Sequence, residues 1–125
     1  MKIYLTNSLT YASEEYKSEM LKLRELLKQE YKVLEYLGLV NGNAGDVFRN
    51  DIECVRNCDM LLAEVSYPST GQGFEIASAL DLGKKVLAFA KQNAVVTRMI
   101  LGINYPNFKF ERYSSLEDVL NLLSK

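Results

Sequence analysis

Apolar and polar positions change their period repeatedly along the chain. Residues 2–6, "KIYLT", read as a first strand built on the β-formers Ile3 and Tyr4. The polar turn "NSLTYAS" leads to Ser13, which with Glu14 and Glu15 behind it marks a helix start. Met20, Leu21, Leu23, Leu26 and Leu27 then recur at helical spacing, predicting a helix to about Tyr31. "KVLEYLGLV" predicts a second strand, "NGNAG" a loop, and "DVFRNDIECVRNC" a second helix on Val47, Phe48, Ile52 and Val55. The near-continuous apolar run "DMLLAEVS", residues 59–66, predicts a strand buried on both faces of a parallel sheet. "YPSTGQG" follows as a loop, "FEIASALDLG" as a helix ended by Gly83, and "KVLAFA" as a fourth buried strand. "NAVVTRMILGI" predicts a short helix, "FKFERY" a last strand, and "SLEDVLNLLSK" a closing helix capped by Ser114 or Ser115.

This alternation predicts an α/β fold, a three-layer doubly wound (Rossmann/flavodoxin-like) sandwich with a mainly parallel sheet of about five strands. With no repeat, linker or low-complexity stretch, the expectation is a single domain over residues 1–125. That length buries a core without disulfides or metals.

Composition narrows the function classes. Hydrophobic residues make up 48% and charged residues 25%, an ordinary balance, and a net charge of −1 gives no global pull toward nucleic acid or an anionic membrane. No apolar run reaches the roughly 20 residues a bilayer span needs. "MKIYLTNS" enters a strand pattern at once, so neither a signal peptide nor a location outside the cytoplasm is expected. Cys54 and Cys58 lie i, i+4 on one helix face and read as reduced thiols. The chain has no histidine, so no metal and no cofactor is expected, and acid–base work falls to carboxylates or tyrosines.

In open parallel sheets, ligands collect at the carboxyl ends of the strands near a switch in strand order. Three segments converge there: "YLTNSLT" after the first strand, "VSYPSTGQG" running into Glu75, and "DVFRNDIE" carrying Asp51. Each feature also has a plainer reading. Gly71 and Gly73 could make only a tight turn, and Glu75 could be a first-turn acid favoured by the helix dipole. Asp51 could be a solvated helix residue, Tyr4 a core aromatic, and "SYPST" a polar turn. Residue by residue, the chain reaches an α/β domain with an anion or sugar site.

The combination is less generic. "KIYLTNS" followed by "DVFRNDIECVRNCDMLLAEVSYPSTGQGFEIASALDLGKKVLAF" resembles the nucleoside 2-deoxyribosyltransferase superfamily, and "VVTRMILG" and "FERYSSLEDVLNLL" extend the likeness over nearly the whole chain. Within it the chain is most similar to the 2'-deoxynucleoside 5'-phosphate N-hydrolase branch. The resemblance implies Glu75 as the nucleophile at the anomeric carbon of deoxyribose. It implies Asp51 as the carboxylate that assists protonation of the departing base and orients the sugar, and Tyr4 as the hydroxyl that positions the nucleophile. Gly71 and Gly73 fall where the backbone approaches the ligand. These residue types suit the chemistry: an oxocarbenium-like sugar is stabilised and trapped by one carboxylate while a second supplies a proton, as in retaining glycosidases.

The same resemblance implies a phosphate pocket from Ser8, Ser69 and Thr97, the last donated by the neighbouring subunit of a homodimer that shares its active site. The transferases carry an aspartate where Ser69 stands, and a hydroxyl donates to phosphate where an aspartate would repel it. For Ser8 and Thr97, simple turn or helix capping is the plainer alternative. Two first-loop positions depart from the branch: Thr10 stands at its arginine and Asn7 at its glycine. Arg98 or Arg49 is the candidate replacement for the lost charge. The implied activity is hydrolysis of deoxynucleoside 5'-monophosphates. The alternatives are base exchange on unphosphorylated deoxynucleosides and a non-catalytic nucleotide-binding module.

Overall fold

A computed structural model describes residues 1–10 and 12–124. Five strands, β1 (Lys2–Asn7), β2 (Lys32–Leu34), β3 (Met60–Glu64), β4 (Lys85–Lys91) and β5 (Phe108–Tyr113), alternate with five helices, α1 (Glu14–Lys28), α2 (Ala44–Asn57), α3 (Thr70–Asp81), α4 (Arg98–Leu101) and α5 (Leu116–Leu123). The strands form one sheet in the order β2-β1-β3-β4-β5, with every neighbouring pair parallel. The chain winds outward from β1 in one direction to β2 and in the other through β3, so the topological switch lies between β1 and β3. The α/β sandwich expected from the alternation is the fold observed.

Alternation within each strand splits the core into two layers. Tyr4, Leu61, Ala63, Val86 and Ala88 face Ile52 and Val55 of α2 and Ile76 and Ala79 of α3. Ile3, Leu5, Leu62, Leu87 and Phe89 face Tyr16, Met20, Leu23 and Leu27 of α1 and Val119 of α5. A side-chain period of two on a sheet covered on both faces leaves Ile3, Leu5, Leu61 and Leu62 alike at 0% exposure.

The element boundaries differ from the sequence expectation where side chains intervene. The second strand stops at Leu34 because the chain beyond it is tied to α2 rather than to β1. The Leu37 amide donates to Asp51 Oδ1 at 3.0 Å, and the Glu35 carbonyl accepts from Asn50 Nδ2 at 3.1 Å. Helix α2 starts at Ala44, inside the expected "NGNAG" loop, because Asn43 and Asp46 close a reciprocal capping box. Gly42 before it has φ 71°, and a Cβ there would lie 2.8 Å from that of Asp46. Helix α3 starts at Thr70 under a Ser69 cap, so Gly71 and Gly73 are first-turn helix residues rather than loop. The helix expected over "NAVVTRMILGI" is limited to Arg98–Leu101, capped by Thr97. Helix α1 ends at Lys28, short of Tyr31, and α5 is capped by Ser115 with Asp118 completing its box. Lys125, the last residue of the expected closing helix, lies outside the described residues.

Candidate active site

The switch point opens into a cavity of about 440 Å³, within the roughly 300–1,000 Å³ usual for small-molecule sites. Its polar lining includes Tyr4 and Thr6 of β1, Asp51 of α2 and Glu75 of α3, and much of the remainder is apolar, including Val47 and Phe48 of α2. Phe48 also meets Phe74 edge to face, with ring centroids 5.9 Å apart. Both rings are about half exposed.

Glu75 is held by two hydroxyls from one strand face. Tyr4 Oη donates to Oε2 at 2.5 Å and Thr6 Oγ1 to Oε1 at 2.7 Å. Residues 4 and 6 point the same way because strand side chains alternate, and α3 brings Glu75 over them one turn and a half beyond its cap. Burial pushes the Glu75 carboxyl above the usual range; the Tyr4 and Thr6 hydrogen bonds oppose that rise, and the nearby Asp51 charge adds to it. Burial and the same Glu75 push the Tyr4 phenol far up, so it stays a proton donor. Asp51 Oδ1 accepts from the Leu37 amide and from Asn50 Nδ2, both at 3.0 Å, which fixes the second carboxylate against the β2–α2 connection. Cys54, one turn along α2, is raised to about 11 by burial and by the charges of Asp51 and Glu75, and is an inert thiol.

The expected site residues divide into two groups. Tyr4, Asp51, Glu75, Asn7, Thr10, Ser69 and Gly71 all line the cavity. Gly71 faces open space at its Cβ position, as a close approach of ligand to backbone requires, but so does Gly73, which is not in the lining. Ser8 is buried and donates to the Pro68 carbonyl at 3.1 Å. Thr97 and Arg98 lie at the start of α4, away from the cavity of their own chain. Arg49 is exposed and paired with Asp46 at 2.6 Å. Among the described residues, no lining side chain is a cation. A different arginine touches lining residues: Arg24 of α1, 4% exposed, stacks 4.6 Å over the ring of Tyr36. It also donates to Asn7 Oδ1 at 3.4 Å.

Sequence reasoning missed Thr6, Gln72 and Glu64. Thr6 was available from the period of two that puts it beside Tyr4. Gln72 was hidden between two glycines read as a loop. Glu64 lay inside the apolar run 59–66 and carried no role of its own in that pattern. It is 0% exposed, on the α1/α5 side of the sheet, and accepts from Tyr113 Oη at 2.5 Å, Tyr16 Oη at 3.1 Å, and the Ser66 amide and hydroxyl at 2.6 and 2.8 Å.

Strand order and site together define an α/β protein with a hydroxyl-held, buried carboxylate at its β1/β3 switch point. The sequence model of the family described as nucleoside 2-deoxyribosyltransferase matches residues 3–115, and the chain belongs to that family. A Thermofilum pendens protein, whose name provisionally assigns it as 2'-deoxynucleoside 5'-phosphate N-hydrolase 1, is 44% identical over 80 residues, covering 62% of this chain and 56% of that protein. The 5-hydroxymethyl-dUMP N-hydrolase of Mus musculus is 37% identical over 62 residues, 46% of this chain and 36% of that one. The matched stretch thus spans about half the length, or less, of these curated relatives. Among solved structures, a 2-deoxyribosyltransferase of Bacillus psychrosaccharolyticus superposes with a TM-score of 0.72 at 23% identity, covering 97% of this chain and 91% of that one. A CMP N-glycosidase of Clostridium botulinum gives 0.71 at 20% identity over the whole of both chains. At such identities the likeness is one of fold.

Proposed function

We propose that the chain hydrolyses the N-glycosidic bond of 2'-deoxynucleoside 5'-monophosphates, giving a free base and 2-deoxyribose 5-phosphate. The observation that carries this reading is Glu75, buried, fixed by Tyr4 and Thr6, and sharing its cavity with Asp51. A Glu75 oxygen bonds to C1' as the C1'–N bond breaks, and the departing base takes the bonding electron pair and a proton relayed by Asp51. Water then attacks C1', its proton passing to Asp51 as the C1'–O bond to Glu75 breaks and frees the carboxylate. Tyr4 and Thr6 hold Glu75 at one angle, so little reorganisation precedes attack. The names of the Thermofilum pendens and mouse relatives support a nucleotide N-hydrolase over a binding module.

The 5'-phosphate falls at the start of α3. Ser69 and Gly71 line the cavity there, and α3 has no acidic residue in its first turn, whereas α1, α2 and α5 each do. Its positive dipole end is therefore free for an anion. Ser69 caps α3 through its lone pair and keeps its hydroxyl proton for the phosphate. The lack of a cation among the described lining residues favours a second reading, base exchange on unphosphorylated deoxynucleosides.

The exposed apolar stretch around α4, with Val95 92% and Met99 82% exposed, supports a homodimer in which Thr97 and Arg98 reach the partner's cavity. A monomer in sedimentation at micromolar concentration would count against that. No helix among the described residues is long and apolar enough to cross a membrane; a cytoplasmic site of action accompanies the nucleotide reading.

Incubation with dGMP, deoxyguanosine and GMP, with and without a second free base, separates these readings. Base release from dGMP but not from deoxyguanosine supports the hydrolase. Exchange on deoxyguanosine supports the second reading, and inertness toward all deoxynucleosides and deoxynucleotides supports a binding module.

A further inference from the structure

Gln72 has a committed end and a free end. Its Nε2 donates to the Thr6 carbonyl at 3.0 Å and to the Glu64 carbonyl at 2.8 Å, bridging the carboxyl ends of β1 and β3. Both amide hydrogens are used, and a flipped amide would set its oxygen against two carbonyl oxygens, so the orientation is fixed. Oε1 is left with no hydrogen-bond partner among the described residues, and it is not among the fully enclosed polar atoms that lack one. The side chain is 4% exposed and lines the cavity. A buried amide held this way offers the cavity one immobile acceptor.

Its place on α3 decides what that acceptor meets. Gln72 stands one turn before Glu75 and one turn after Ser69, on the face that all three present to the cavity. Resting on the reading that Glu75 attacks C1' and the 5' end lies toward Ser69, the group between them is the furanose ring. We propose that Gln72 Oε1 accepts a hydrogen bond from the sugar 3'-hydroxyl and makes a free 3'-hydroxyl a requirement of the site. A carbonyl oxygen rewards a hydroxyl donor and repels the oxygens of a 3'-phosphate, so 3'-phosphorylated nucleotides and the interior residues of a nucleic acid strand are rejected.

The test compares kcat/KM for a 2'-deoxynucleoside 5'-monophosphate with that for its 2',3'-dideoxy analogue, in the wild-type chain and in Gln72→Met. Dividing one substrate ratio by the other cancels the intrinsic lability of the dideoxy sugar and any general damage by the substitution. The expected wild-type preference for the 3'-hydroxyl exceeds that of Gln72→Met by roughly tenfold to a hundredfold, and a 3',5'-bisphosphate is not turned over by the wild type. The wild-type arms need no variant, so they stand if Gln72→Met fails to fold: efficient turnover of the 3',5'-bisphosphate overturns the inference. So does a folded Gln72→Met with the wild-type ratio while both proteins remain active. A wild-type protein that turns over none of these substrates overturns the monophosphate N-hydrolase reading, and this inference with it.

Discussion

Two glutamates sit at the carboxyl edge of the same sheet, on opposite faces, and differ in one respect that decides what each can do. Both are buried, both take a 2.5 Å hydrogen bond from a tyrosine, and burial pushes both carboxyls above the usual range. Glu64 has four donors around it, two phenols plus the amide and hydroxyl of Ser66, and no exposure at all. Glu75 has two donors and an open side facing the cavity. A fully satisfied buried carboxylate is a structural clamp, whereas a half-satisfied one keeps lone pairs for an electrophile.

Substitution at the two positions should separate these roles. Glu75→Ala should lower turnover by at least roughly a thousandfold while its melting temperature holds or rises, since water in the open cavity replaces the carboxylate as acceptor for Tyr4 and Thr6; full activity would sink the nucleophile assignment. Glu64→Ala should do the reverse. It leaves the buried Tyr16 and Tyr113 hydroxyls without their acceptor, a loss of about 3 kcal/mol by denaturant unfolding, while each folded molecule keeps its turnover. A stable Glu64→Ala chain with no activity would erase the contrast.

Tyr4→Phe probes how the open carboxylate is held. Loss of one donor should lower kcat roughly tenfold to a hundredfold. Because that hydrogen bond lowers the Glu75 value, its removal should also move the acid limb of the rate profile to higher pH. An unmoved limb would mean that Tyr4 does not set the Glu75 charge.

The smallest effect is expected in stability against pH. The folded chain holds the Glu64 proton more tightly than the unfolded chain does. That contribution is therefore complete below the unfolded value and is lost as pH rises through the folded value. Glu64→Gln should flatten the fall in melting temperature over that rise. An unchanged profile would mean that Glu64 does not carry it.

Much of this was legible from residue order. Continuous apolar runs marked β3 and β4 as doubly covered strands, and the strand–helix alternation fixed a parallel sheet. Tyr4, Asp51, Glu75 and Ser69 could be singled out before any geometry because they stand where the chain resembles its family's motifs. Capping chemistry was written in the chain as well: Asn43 with Asp46, and Ser69 before Thr70, set the true starts of α2 and α3. Glycines next to these caps concealed the starts, since glycine is a poor helix former and signals a loop.

Only tertiary structure decided the state of the charges. Whether a glutamate is solvated, clamped or reactive depends on groups distant in sequence. Tyr16 and Tyr113 lie 48 and 49 positions from Glu64, and Tyr4 and Thr6 lie 71 and 69 from Glu75. No local pattern encodes those distances, because a hydrogen bond and a dielectric are properties of assembled neighbours rather than of a sequence window. The sequence by itself determined that carboxylates would stand at the end of this sheet. Packing determined that one is sealed and the other open.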